Sequence, residues 1–394
     1  MTLDGRVKPC HDEENESAGL LVHPAHTMPF ADLAAGLRAA RDERLVYERP
    51  GPDGLTLYVY TERCVFESAW TPITKAARGL ILDHTARRIV ATPFAKFFNV
   101  GELGEPVPDL PFEATDKLDG SLIIIFYHAG RWRAVTKGSF DSSQALWAQA
   151  RLEKIDLAPL TIGTTYLAEA TYPENRIVVR HTEEALRLLA AYAADGTELA
   201  LNDVIAAGTS IGLDTVARVT FASIPELVLH AKYLPKSHEG YVIRFSNGHR
   251  LKVKGDEYRR IHALISGLSP LSVWQAMQAG DDMLAIRRDL PEEFWDDFDN
   301  IQRLLAARVT AVVERAEGAA ATVATLTDKE VGLRLASFDA DIRGLLFDIR
   351  KTGAGWTIGR ARQKLFRLIR PEANVLPGYV PSSSLIRAVE EAQG

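Results

Sequence analysis

The sequence predicts an α+β protein, with antiparallel sheets and flanking helices in its first part and helices alone in its second. Three observations predict it. Short alternating or apolar runs at residues 55–60, 78–83 and 121–126 read as strands, because strand side chains alternate between two faces. Asn247-Gly248 separates two further strand-like segments, 239–245 and 250–254, and Asn-Gly is a strong hairpin signal. At about Asp256 the pattern changes to helical periodicity and keeps it to the C-terminus. A sheet-rich part followed by a helical part implies two domains. They are expected at 28–255 and 256–394, behind a mobile tail at 1–27 that shows no periodicity.

The elements follow in order. Residues 30–44 place Phe30, Leu33, Leu37 and Ala40 on one side of a helix. Residues 88–93 pair with 78–83, and 131–135 return beside the apolar run Ile123-Ile124-Ile125-Phe126. Residues 143–152 are helical. Strands at 166–171 and 176–180 flank the turn-rich Tyr172-Pro173-Glu174-Asn175. Residues 186–193 and 197–201 suggest another hairpin. Short helices at 201–207 and 224–233 enclose a strand at 216–221. In the second part, helices are expected at 258–264, 271–278 and 292–317, the last with Pro291 near its first turn. Thr327-Asp328-Lys329-Glu330 is a capping box opening a helix to about residue 351. Helices at 358–369, stopped by Pro371, and at 384–392 complete the chain. No internal repeat is found.

Composition excludes several classes. The 394 residues are 46% hydrophobic and 25% charged, as in a soluble globular protein. The net charge of -6 means that any nucleic-acid contact must come from a local basic patch. Cys10 and Cys64 form neither a disulfide framework nor a zinc pattern, which fits a reducing cytosol. No run of about 18 apolar residues offers a membrane span. Asp12, Glu13, Glu14 and Glu16 make the N-terminus unlike a signal peptide. A cytoplasmic monomer without membrane contact is the expectation.

One stretch carries the chemistry: Lys117-Leu118-Asp119-Gly120-Ser121, ahead of the apolar run. A lysine two residues before an acid, followed by Gly-Ser, suits an amine nucleophile for nucleotidyl transfer, once neighbouring cations or a metal activate it. Gly120 lets backbone pass close to a ligand, Ser121 can donate to a phosphate, and Asp119 can help hold a metal. Taken alone, Lys-x-Asp-Gly is also an ordinary turn between strands. Lys96 sits among Phe94, Phe97 and Phe98, and Lys137 in Thr136-Lys137-Gly138-Ser139. Alternation puts Lys252 and Lys254 on one strand face, where two cations repel unless an anion lies between them. A solvated edge strand with protective lysines is the plainer reading of that pair.

Taken in order, Arg78-Gly79, Lys96-Phe97-Phe98-Asn99, Lys117 to Ser121, Lys137-Gly138-Ser139, Glu169, Glu239-Gly240-Tyr241-Val242 and Lys252-Val253-Lys254 resemble the covalent nucleotidyltransferase superfamily. Within it, the chain looks most like the bacteriophage T4 RNA ligase 1 family and the ligase domain of fungal-type tRNA ligases. The Arg78-Gly79 turn, the Lys96 and Lys137 segments and the region from Glu169 to Val178 carry the narrower match. The likeness covers about residues 30–254, and the helical part resembles that family's C-terminal domain only in size and class.

The resemblance implies an N-terminal nucleotidyltransferase domain and ATP-dependent joining of 5′-phosphate and 3′-hydroxyl RNA ends, in repair of broken RNA or tRNA. It makes Lys117 the residue that takes AMP, with Lys252 and Lys254 on the α-phosphate, where their charges would also lower the Lys117 pKa. Arg78, Lys96 and Lys137 would hold the outer phosphates and Glu169 the ribose. Asp119 and Glu239 would hold hydrated Mg2+ or Mn2+. Asn99, Gly120, Ser121 and Val242 would complete the ATP site, Val242 against adenine. The chain has no Gly-x-x-x-x-Gly-Lys-Ser/Thr loop, so a separate end-healing kinase/phosphatase would act beforehand.

Other readings stay open. A DNA ligase or capping enzyme shares the core motifs but appends a strand-rich OB-fold, unlike the helical pattern here. A non-catalytic RNA-binding protein on a ligase scaffold would not need the intact lysines and acids. Residues 350–370 hold seven basic residues and no acid, with Trp356 and Phe366 among them. Arg360, Arg362, Lys364 and Arg367 there could bind RNA phosphates, or form a solvated helix face. Asp281 and Asp282 could touch a second metal, though a solvated helix end is the simpler role.

Overall fold

The computed structural model describes residues 21–175, 178–290, 294–372 and 374–382. The described residues fall into two compact units. One is built from 21–175, 181–234 and 238–255, the other from 178–180, 235–237 and residues after 255.

The first unit opens with α1 (Phe30–Asp42), β1 (Val46–Pro50), β2 (Leu55–Tyr60), the short helices α2 (Glu62–Phe66) and α3 (Pro72–Ala76), then β3 (Arg78–Asp83) and β4 (Arg88–Ala91). The four strands make an antiparallel sheet in that order. Helix α1 covers it because Leu33, Leu37 and Ala40 recur at helical spacing and bury against Tyr58, Leu80 and Leu82.

There follow β5 (Phe98–Asn99), β6 (Phe112–Lys117), β7 (Ser121–His128), β8 (Arg131–Thr136), α4 (Ser143–Leu152), β9 (Thr165–Thr171), β10 (Ala185–Tyr192), α5 (Leu201–Ile211), β11 (Arg218–Val219), α6 (Ile224–Lys232), β12 (Gly240–Phe245) and β13 (Arg250–Lys254). A second antiparallel sheet runs β10-β9-β7-β8. A third runs β11-β6-β12-β13-β5, antiparallel except for the β13–β5 pair.

The unbroken apolar run of β7 now has a cause. Ile123 and Ile125 face the core under α4 and α5, while Ile124 and Phe126 face the core shared with the first sheet. A strand buried on both faces needs no polar alternation. In the third sheet, Tyr241, Ile243, Phe245 and Leu251 pack on α6 through Leu227 and Ala231. The intervening positions Gly240, Val242, Arg244, Arg250, Lys252 and Lys254 therefore share the opposite face.

The second unit is helical: α7 (Asp256–Ser266), α8 (Pro270–Ala279), α9 (Met283–Asp289), α10 (Trp295–Thr322), α11 (Asp328–Arg334), α12 (Arg343–Thr352) and α13 (Gly359–Leu368). Phe298, Ile301, Leu305, Val312, Ala316 and Ala320 form one stripe along α10 and are buried. Each large member contributes about 1.5–3 kcal/mol on burial. Trp274 and Trp356 close the core and donate their indole N–H groups to the Phe366 carbonyl and Glu317. Among the described residues, no helix is long and apolar enough to cross a membrane.

Several expectations change. Residues 21–27 are not a mobile tail. Val22 bridges Thr197, the His23 N–H donates to the Gly196 carbonyl, and Ala25 is buried, so backbone pairing orders a segment with little apolar periodicity. The helix opened by the Thr327 capping box stops at Arg334. Arg343 donates to the carbonyls of Ala336 and Phe338, which ends one helix and starts the next. Val178 to Arg180 is a bend rather than a strand, and Val178 joins the helical core. Residues 197–201 make isolated bridges, not a hairpin arm, and the strand at 216–221 shrinks to β11. The periodicity reading did not include β1, β5, β6, α2, α3 and α9, which are short and weakly patterned. Residues 1–20, Arg176, Ile177, Pro291 and the helix expected at 384–392 lie outside the described residues.

Candidate active site

Strand register assembles the site. Lys117, the last residue of β6, stands opposite Gly240 of β12, and Gly240 opposite Lys254 of β13. In the next row, Thr115, Val242 and Lys252 are aligned. Glu239 precedes that glycine and is 3% exposed. One of its carboxylate oxygens lies 2.8 Å from Lys117 Nζ and the other 3.0 Å from Lys254 Nζ. A side chain at Gly240 is impossible here, because its Cβ would come within 1.9 Å of the Val253 carbonyl oxygen. That contact explains the Glu-Gly pair: the acid can reach both lysines only because the strands close over a residue with no side chain.

The electrostatics differ from the expectation. Burial disfavours the Lys117 ammonium, but Glu239 first, then Glu169 and Asp119, reverse that effect, so the Lys117 pKa lies above its ordinary value. The nucleophile candidate is thus held as a cation in the ligand-free protein, not lowered by Lys252 and Lys254. Burial likewise favours a neutral Glu239, yet Lys117 and Lys254 outweigh it and hold the carboxylate below its usual range. The lowered lysine is Lys252. Burial, then Lys96, Lys117, Lys254 and Arg78, push its pKa well below the ordinary value.

A second group of cations gathers around aromatic rings. Lys96 Nζ lies 5.3 Å from the Tyr60 ring, 5.2 Å from Trp70 and 5.8 Å from Phe98. Phe97 instead faces Arg78 and Lys252, each at 5.8 Å. The walls around Lys96 are therefore Tyr60, Trp70 and Phe98, not the three phenylalanines of its own segment. Tyr60 and Trp70 are the residues that sequence reasoning missed. The buried Tyr60 phenol bonds to Arg78. Burial raises its pKa, but Arg78, Lys96 and Lys137 more than offset that, and the net direction is down. No spacing in the chain announces Tyr60; only the pairing of β2 with β3, which sets Val59 opposite Arg78, brings it there.

The remaining candidates are placed as follows. Asp119 and Glu169 are buried within the charge field of Lys117. The Asp119 carbonyl accepts from His181 Nε2. Gly120 packs on β9, where a Cβ would meet the Ala170 carbonyl at 2.3 Å, so a neighbouring strand and not only a ligand requires glycine. The Ser121 hydroxyl donates to Asn175, and Asn175 donates to the Ala170 carbonyl, which engages Ser121 within the protein. Asn99 is likewise engaged, through both its backbone and side-chain N–H groups, by Glu102. Among the described residues, no three His, Cys, Asp or Glu side chains converge to hold a metal directly. Two buried carboxylates, Asp119 and Glu239, do lie beside Lys117, the number with which Mg2+ is often held while it keeps several waters.

In the second unit, Asp282 caps α9 by accepting from the Leu284 and Ala285 N–H groups. Arg362 donates to the Met277 and Gln278 carbonyls at the end of α8, and Lys364 pairs with Asp348 at 2.8 Å. Arg350 pairs with Asp328. The basic run is thus partly internal scaffolding, and of the four arginines and lysines singled out, Arg360 and Arg367 are exposed and have no such ion pair among the described residues.

Comparison with known proteins finds a family likeness over part of the chain. A sequence model of the RNA ligase family, of the T4 RNA ligase 1 type, matches residues 76–258. The match covers just under half of the chain. It runs from just before Arg78 into α7 and contains every residue of the Lys117 site except Tyr60 and Trp70. A provisionally named bifunctional polynucleotide kinase/RNA ligase of Autographa californica nuclear polyhedrosis virus is 27% identical over 247 residues, which is 55% of this chain and 35% of that protein. An RNA ligase of Rhodothermus phage RM378 is 23% identical over 215 residues, 43% of this chain and 48% of that protein. The chain therefore spans between a third and a half of these relatives. Among solved structures, an archaeal ATP-dependent RNA ligase aligns with a TM-score of 0.45 at 15% identity, covering 61% of this chain and 69% of that one.

Proposed function

We propose that the whole chain is an ATP-dependent RNA ligase that joins 5′-phosphate and 3′-hydroxyl ends. The observation that carries this reading is the row Lys117–Gly240–Lys254 with Glu239 between the lysines, inside the RNA ligase segment. A lysine at a strand end, ringed by cations and buried acids, fits an amine that attacks phosphorus.

In the first step Lys117 loses its proton and its nitrogen attacks the α-phosphorus of ATP. A P–N bond forms as the bond to pyrophosphate breaks. Lys252 and Lys254 stabilise charge on the α-phosphate oxygens, while Arg78, Lys96 and Lys137 hold the outer phosphates in line behind the leaving oxygen. Glu169 accepts from the ribose, and Val242 packs on the base. Asp119 and Glu239 would hold hydrated Mg2+ or Mn2+, which would supply further charge screening for the phosphates. In the second step a 5′-phosphate oxygen of RNA takes AMP from the lysine. In the third, the 3′-hydroxyl attacks that phosphate and AMP leaves.

The substrate class follows the family, and repair of broken RNA or tRNA is the setting we infer. Ends carrying other groups would require a separate healing enzyme. The test is joining of single-stranded RNA with 5′-phosphate and 3′-hydroxyl ends in ATP and Mg2+, run beside nicked DNA and beside GTP. Joining of RNA with ATP supports the reading. Preference for nicked DNA would favour a DNA ligase, and a stable GMP adduct a capping enzyme. RNA binding without any adduct would favour a non-catalytic RNA-binding protein.

A further inference from the structure

The face of β12 and β13 that carries Lys252 and Lys254 also carries two arginines. Arg244 and Arg250 are directly opposite each other across the hairpin. Like charges at such a pair destabilise a sheet, and both residues are largely buried. What lies against them is Glu198, 5% exposed, from the segment between β10 and α5. Arg250 bonds to both Glu198 oxygens, at 2.8 Å for one of the two. Arg244 Nε lies 3.0 Å from the same carboxylate. Arg244 has a second, more exposed acid in Glu113 at 3.4 Å, whereas among the described residues Arg250 pairs with Glu198 alone.

Glu198 is itself fixed. Its backbone N–H donates to the Leu21 carbonyl, and the Tyr192 hydroxyl donates to its carboxylate at 3.5 Å. The other side of Arg250 rests on the Phe94 ring at 4.8 Å. Phe94 meets Phe97 edge to face, with centroids 6.0 Å apart, and Phe97 is the ring beside Lys252 and Arg78. A continuous path therefore joins Glu198 to the phosphate-facing cations: Glu198, Arg250, Phe94, Phe97, Lys252. Glu198 lies inside the segment that matches the family, outside the short stretches that carry the sequence resemblance.

We propose that Glu198 is a positioning residue of the ligase site: by neutralising the facing Arg244 and Arg250 it holds the turn end of the β12–β13 hairpin, and so sets Lys252 and Lys254 at the other end. The inference rests on the ligase reading above. It divides the hairpin into two anion-bridged halves. Glu239 bridges Lys117 and Lys254 at one end, and Glu198 bridges the arginines at the other. Lys252 stands between them with no ion pair of its own among the described residues and takes its place from the strand and the Phe97 ring. Loss of the Glu198 charge would leave Arg250 buried without its acid, a strongly unfavourable state that the hairpin can relieve only by moving.

The experiment compares Glu198→Gln, Arg250→Gln and the double variant with wild type, measuring self-adenylylation and sealing of pre-adenylated RNA, with folding followed by circular dichroism. Glu198→Gln should slow both steps about ten- to a hundredfold, the scale of a misplacement near 1 Å. Arg250→Gln should cost less, because Glu198 still faces Arg244. The double variant should be more active than Glu198→Gln, because the uncompensated cation is gone. A merely structural ion pair predicts a loss of folded protein in Glu198→Gln, regained in the double variant, with wild-type rates per folded molecule throughout. Wild-type rates per folded molecule in Glu198→Gln, or a folded double variant no more active than Glu198→Gln, overturn the proposal. If Glu198→Gln does not fold, the double variant decides: folded and active supports the inference, and folded but inactive beside an active Arg250→Gln overturns it. Absence of any adduct on the wild-type protein would instead sink the ligase reading.

Discussion

Two regions of the molecule are rich in lysine and arginine, and they use them in opposite ways. On β12 and β13, cations at alternate positions share one face, and single buried acids bridge Arg244 to Arg250 and Lys254 to Lys117 of β6. Around α12 and α13, Arg350, Arg362 and Lys364 turn to aspartates or helix-end carbonyls of their own unit. The first arrangement concentrates positive charge at one place beside Lys117, the proposed nucleophile. The second dissipates it in packing. A cluster of cations in a sequence becomes a candidate site when the backbone aligns the residues and the available anions are too few to satisfy them all.

The largest effect should come from Lys117→Ala, which is expected to abolish self-adenylylation while leaving measurable sealing of pre-adenylated RNA, since the amine acts only before the last step. Equal loss in both assays, in a folded variant, would give Lys117 a second role. Arg78→Ala and Lys137→Ala should each slow adenylylation by about one to three powers of ten, the scale of a lost charge-assisted contact. Sealing of pre-adenylated RNA should hardly change, because pyrophosphate has left by then. Tyr60→Phe, which removes only the hydroxyl that bonds to Arg78, should act on the same step and less strongly. A larger loss for Tyr60→Phe than for Arg78→Ala would remove Tyr60 from this supporting role.

The direction of the Lys117 pKa can be read without turnover. Glu239 is the main charge that raises it, so Glu239→Gln should let it fall. Amine-selective labelling of Lys117, followed by peptide mass spectrometry against pH in the absence of nucleotide, should then shift toward lower pH. An unchanged profile would mean that the ion pair does not control the amine. The smallest effect is expected in the helical unit. With Arg362 and Lys364 engaged internally, Arg360→Ala with Arg367→Ala should reduce the log–log salt slope of RNA binding by about one to two units, at roughly 0.7–0.9 per phosphate contact. Adenylylation without RNA should be unaffected. An unaltered slope would make that helix face a solvated surface.

How much of this the sequence disclosed can be judged from particular residues. Lys117, Glu239 and Lys254 were legible because each sits in a short motif with a backbone reason for its neighbours, such as the glycine at 240. The strands were legible where alternation or a two-sided apolar run marked them, as in β2 and β7. Tyr60 and Glu198 were not, because their importance comes from strand register and from a segment folded back beside the hairpin. The directions of the lysine pKa values were not legible either. Sequence adjacency placed Lys252 and Lys254 near Lys117 but could not weigh them against Glu239, Glu169 and Asp119. In the helical unit, the basic run concealed its partners, since Asp348 and the carbonyls of α8 are distant in sequence.

The central claim is that AMP is carried by Lys117 rather than by another lysine of the site. On acidity alone Lys252 would be the better amine, since its pKa is pushed well down while that of Lys117 is pushed up. The two can be told apart by incubating the wild-type protein with labelled ATP and Mg2+, testing that the bound label is acid-labile and stable to alkali, and mapping it by proteolysis and mass spectrometry. The account predicts a single adduct on the peptide that contains Lys117. Label on the peptide that contains Lys252, or no covalent label on a folded protein, would contradict it.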